Sequence, residues 1–170
     1  MPRSIKLYVK YVDTVNRAVG RIAMYLIFAM MGVLLYAAIM RTLFNTPLIW
    51  IVEMAQFTLA AYYLLGGGYS MQLDAHVRMD LLYSRWSPKG QAIADCLTTA
   101  CLVFYLVFLL LGGFSGTIYA IEYKQVNYSS WAPPLAPIKV IMTIGIALML
   151  LQAIAMFFKD WAKVRGETLA

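Results

Sequence analysis

Glu53 is the one charge between Arg41 and Asp74, and no other residue in this sequence is better placed for chemistry. It closes a spaced set, Arg41-x-x-Phe44-Asn45-x-Pro47-x-x-Trp50-x-x-Glu53. A carboxylate about one and a half turns into an apolar run is costly unless it is paired or reaches water. Arg41, across a short turn containing Pro47, is the nearest mate in sequence. Two chemistries fit. One is a coupling-ion or proton site. The other is a structural ion pair, within the chain or to a partner helix. A single carboxylate supplies too few oxygens for a sodium site on its own, so the structural pair is the preferred reading.

A second polar set follows, His76-x-Arg78-x-Asp80. His76 and Asp80 are four apart and share a face if this stretch is helical. Such a pair could orient a catalytic imidazole. No matching nucleophile accompanies it, so a capping or interface role is expected. His76 is the only histidine. That excludes a bis-histidine haem and any histidine-rich metal site built from one chain. Cys96 and Cys101 both lie in apolar surroundings, where a structural disulfide is not expected. A quinone-linked thiol oxidase would need its cysteines on the outer face, and these two fall at or inside the inner end of their span. No enzyme activity, cofactor or metal is expected of this chain.

The elements that must position these residues are membrane helices. The chain has 170 residues, 62% hydrophobic and only 13% charged, where a soluble domain carries about 25% charge. Residues 54–73 are twenty in a row without a charge. At 1.5 Å per residue they cross a hydrocarbon core of roughly 30 Å. The same reading along the chain predicts an all-α integral membrane protein with four transmembrane helices, near 22–40, 48–72, 92–121 and 138–158. All of residues 1–170 form a single membrane domain. Asn45-Thr46-Pro47 separates the first two spans, and Ser87-Pro88 has the cap-and-proline pattern of a new helix start. Gly66, Gly67 and Gly68 within the second span, and Gly112-x-x-x-Gly116 within the third, offer small faces for close helix packing.

Residues 3–21 read as a further, amphipathic helix. Ile5, Tyr8, Val12, Val15 and Val19 repeat at spacings of three and four, with Lys6, Lys10, Asp13 and Arg17 on the opposite face. The expected placement is in the membrane interface, basic face toward anionic lipid. A plain helical lead-in to the first span is the alternative.

The net charge of +6 does not indicate nucleic acid, because the positive residues flank the apolar runs as topology signals do. Arg3, Lys6, Lys10, Arg17, Arg21, Arg78, Arg85, Lys89, Lys159, Lys163 and Arg165 fall on one side, and only Arg41, Lys124 and Lys139 on the other. The positive-inside rule puts both termini and the 74–90 loop in the cytoplasm. Trp50 and Trp131 then sit at the outer interface, and Trp86 and Trp161 at the inner one.

R-x-x-F-N-x-P-x-x-W-x-x-E, followed by a glycine-containing span and H-x-R-x-D, resembles the small membrane subunit of tripartite ATP-independent periplasmic (TRAP) transporters, the DctQ family. The matching positions are Arg41, Phe44, Asn45, Pro47, Trp50, Glu53, His76, Arg78 and Asp80. The stretch Ser130-Trp131-Ala132-Pro133-Pro134-Leu135-Ala136-Pro137-Ile138-Lys139 is similar to a sub-branch of that family. The resemblance covers roughly residues 15–158. Val52 departs from it, since the family often has an acidic residue there.

The resemblance implies a scaffold and anchoring role in the inner membrane of a bacterial cell. The small subunit would pack against a large, DctM-like elevator subunit that holds the sodium ions and the substrate. A DctP-like periplasmic binding protein would deliver the substrate, typically an organic acid. Membrane lipids are the remaining partner. The residues are compatible, forming a stiff bundle with polar groups at its ends and without the unwound, polar-rich helices of a substrate site. The competing reading is a self-contained, proton-coupled exporter acting as a homodimer. Glu53 lies near one end of its span rather than mid-membrane, and the strong charge bias opposes dual topology.

Overall fold

The structure, a computed structural model, describes residues 3–73 and 88–164. The described residues form four helices. They are α1 (Arg3–Phe44), α2 (Ile51–Gln72), α3 (Pro88–Glu122) and α4 (Ala136–Val164). Three of them, α1, α3 and α4, contain stretches long and apolar enough to cross a membrane. The 22 residues of α2 reach about 33 Å, long enough to span. Glu53, Gln56, three tyrosines and three glycines leave it without a stretch as apolar as those of the other three.

Sequence punctuation explains the helix ends. α1 stops at Phe44, and Asn45 then adopts a left-handed backbone (φ 51°), which asparagine tolerates better than most residues. The Thr46 amide and hydroxyl both donate to the Met40 carbonyl at 3.4 Å, satisfying one of the acceptors a helix end leaves open. Pro47 cannot extend the helix. α3 starts on Pro88, a residue suited to the first helical position. Between α3 and α4 the chain makes a small hairpin. Asn127 donates to the Pro133 carbonyl and Leu135 to the Gln125 carbonyl, each at 2.9 Å, around an antiparallel Val126–Pro134 bridge.

The N-terminal segment differs from its expected form. Residues 3–21 are not a separate helix but the first half of α1, whose 42 residues run about 63 Å. Gly20-Arg21 brings neither a proline nor a capping residue, so nothing interrupts the hydrogen-bond ladder. The apolar stripe faces protein. Val9 and Val12 are buried against Ala155 of α4, with Ile5, Tyr8 and Phe158 around them. Tyr8 meets Phe158 edge-on at 6.4 Å and donates to the Leu151 carbonyl at 3.2 Å. Val15 and Val19 are half-buried, and the centre of the stripe is Asn16 and Gly20.

The helices form an open row rather than a closed bundle. Their order in space is α1, α2, α4, α3, with α1 also touching α4. The main core gathers Met71, Leu106, Ile146 and Ala153. Elsewhere large apolar side chains point outward, among them Phe28, Phe104 and Leu111. Apolar faces of this extent suit lipid or a protein partner and not water.

Candidate functional site

At the end of the row that carries the α1–α2 turn, the predicted polar set is only partly assembled. Arg41 is in the last turn of α1, where a cation complements the helix dipole, and it is exposed. Asn45 supplies the left-handed residue of the helix stop. Trp50 is half-buried at the position just before α2, without a side-chain capping bond. Glu53 lies in the first turn of α2 and is only 6% exposed. Its Oε2 atom is buried and has no hydrogen-bond partner.

No ion pair joins Arg41 and Glu53 among the described residues. Adjacency in a hairpin is not enough, because the last turn of α1 turns Arg41 outward while Glu53 turns inward. His76, Arg78 and Asp80 lie outside the described residues. Cys96 and Cys101 are free thiols on α3, the first half-buried and the second exposed.

The opposite end holds a polar network that sequence reasoning missed. Gln152 of α4 is fully buried and Asn16 of α1 is 1% exposed. Asn16 Nδ2 donates to Gln152 Oε1 at 2.9 Å. Gln152 Nε2 donates to Asp13 Oδ1 at 2.9 Å, and Lys159 Nζ to Asp13 Oδ2 at 2.7 Å. The network ties the first third of α1 to the last third of α4. Its buried amide bonds hold it together, because the Asp13–Lys159 pair is over a fifth exposed on each side and such pairs contribute little. The available signals were Asn16 on an otherwise apolar stripe and Gln152 alone in the apolar run of α4.

A second tie joins α3 and α4 near the hairpin. The Thr117 and Thr143 hydroxyls are 2.8 Å apart and each reaches the Gly113 carbonyl. Lys139 Nζ donates to Gln125 Oε1 at 2.7 Å and to the Gly116 carbonyl at 3.3 Å.

The glycines that set helix spacing are only partly those expected. A Cβ on Gly68 would fall 2.5 Å from Asn16 Oδ1, and one on Gly67 would fall 2.7 Å from the sulfur of Met149. Gly66, Gly112 and Gly116 meet nothing within 4 Å, so they do not bring helices of this chain together. Two further close approaches use Gly20 against the Tyr69 side chain, and Gly145 against the Leu64 backbone at 2.9 Å. Small residues let membrane helices approach in this way.

The fold and its polar groups define a helical membrane protein in which side chains tie helix to helix and the buried Glu53 Oε2 has no partner among the described residues. Residues 30–163 match the family model described as "Tripartite ATP-independent periplasmic transporters, DctQ component", and the chain belongs to that family. No curated protein matches it. The α4 half of the buried network lies inside the matched region, and Asp13 and Asn16 lie before it.

Proposed function

We propose that this protein is the small scaffold subunit of a sodium-coupled transporter that imports organic acids handed over by a DctP-like periplasmic binding protein. It packs against a large, DctM-like elevator subunit, which holds the substrate and the sodium ions. Four spans cross the bacterial inner membrane, α2 being the fourth and lying between α1 and α4. Both termini are cytoplasmic, with the first part of α1 and the end of α4 reaching past the bilayer together. The observation that carries the scaffold reading is the open row, which leaves broad apolar faces for a second subunit and for lipid. The polar side chains tie the row together at its ends.

Glu53 supports the same reading. A buried carboxylate oxygen without a partner among the described residues suits a donor from another subunit, because leaving such a group unpaired is expensive. The fitting donor is a basic or amide side chain of the large subunit. Glu53→Gln keeps the shape and removes the charge. It is expected to weaken assembly by about 1–3 kcal/mol, read as a drop of about fivefold or more in recovered complex. The sodium dependence of residual transport stays unchanged. Normal assembly with altered ion dependence would assign Glu53 to coupling instead.

Topology has its own test. Tyr128, at the tip of the α3–α4 hairpin, is fully exposed. In a background with Cys96 and Cys101 replaced by alanine, Tyr128→Cys is expected to react with an impermeant maleimide on intact spheroplasts. Thr168→Cys reacts only after lysis. Labelling of Thr168→Cys from outside contradicts the charge-based orientation.

A further inference from the structure

A groove of about 470 Å³ crosses the outward side of α2, between α1 and α4. Gly66 and Gly67 form its floor, Met24 of α1 and Met149 of α4 its walls, and it runs from Tyr63 to Leu73. It follows α2 for about 15 Å, and its length and apolar lining suit an extended alkyl chain. Methionine walls adapt readily to such a guest.

Charge marks one end of the groove. Gly20 of α1 packs on Tyr69 of α2, and the two helices are antiparallel. Three residues back along α1, Arg17 is therefore level with Gln72 and Leu73, where the groove opens. Met24 lies seven residues beyond Arg17 and so on nearly the same helix face. Arg17 and Arg21 are both exposed. Neither takes part in the Asp13–Lys159 ion pair or in a described hydrogen bond.

We propose that this groove binds one acyl chain of an anionic phospholipid, whose phosphate sits on Arg17 and Arg21. The lipid belongs to the leaflet at the Leu73 end, the cytoplasmic one in the orientation proposed above. The site depends only on α1 and α2 lying in a membrane, and it stands whether or not the chain serves sodium-coupled uptake. Basic residues at a membrane surface favour anionic lipid by about fivefold each.

The test uses the full-length protein, extracted in its native assembly and placed in nanodiscs. The probes are phosphatidylglycerol and phosphatidylcholine carrying the same diazirine-bearing tail, and crosslinks are located by peptide mass spectrometry. The expected result is crosslinking to Met24, Tyr63 and Met149 at least about fivefold stronger with phosphatidylglycerol. Arg17→Gln/Arg21→Gln abolishes the preference. Gly66→Leu, whose new side chain meets open space, removes the crosslinks at unchanged helix content. Equal labelling by the two probes overturns the proposal, as does labelling indifferent to both variants. Groove residues shielded from both probes, with Gly66→Leu expelling a co-purifying membrane protein, would overturn it in favour of a partner helix.

Discussion

Replacing Gln152 with leucine is expected to destabilise the folded chain by about 1–3 kcal/mol, the usual cost of leaving buried polar groups unpaired. Gln152 is fully buried and serves both neighbours, accepting from Asn16 and donating to Asp13. Leucine preserves most of the volume, so the loss reports hydrogen bonding and not a cavity. Asn16 would be left with the Leu148 carbonyl at 3.5 Å as its one remaining acceptor. Asp13 would keep Lys159, which is why the damage falls on Asn16. Asn16→Leu/Gln152→Leu should cost less than the two single changes summed, because both partners are then apolar. Detergent unfolding followed by circular dichroism measures all three. An unshifted Gln152→Leu variant would mean that the network does not hold α1 to α4.

The second large effect is expected at Gly145. A Cβ there would lie 2.9 Å from the Leu64 carbonyl carbon and oxygen. Backbone cannot swing aside as a side-chain tip can, so α2 and α4 must separate. Gly145→Ala is expected to cost about 1–3 kcal/mol, the range for overpacking a tight contact, and Gly145→Leu more. Gly112→Ala and Gly116→Ala should leave the isolated chain unchanged, since both positions open onto space. Equal effects at Gly145 and Gly112 would contradict the packing described here.

That contrast shows what could be read from the sequence. Gly112-x-x-x-Gly116 carries a spacing that marks a small face, but spacing says nothing of whether a helix of the same chain covers it. Gly20 and Gly145 have no glycine four residues away and gave no such signal. Helix ends were legible where Pro47 and Pro88 force them. The fusion of residues 3–21 into α1 follows the lead-in alternative and not the preferred interfacial one, because amphipathic periodicity does not say whether a helix ends before the apolar run that follows it. The Asn16–Gln152 bond joins residues 136 apart, and no local pattern can pair them. Glu53 stands out in the sequence as a carboxylate within an apolar run, and it is buried. Its separation from Arg41 depends on which way each helix end faces, and twelve residues of sequence do not fix that.

The central claim is that this chain works as one component of a larger membrane assembly. Mass measurement of the tagged protein, extracted gently from its native membranes, tests it most directly. The expected result is a heteromer containing one much larger multi-helix membrane protein in fixed proportion to this chain. A species made only of two copies of this chain, competent for transport by itself in proteoliposomes, would contradict the account.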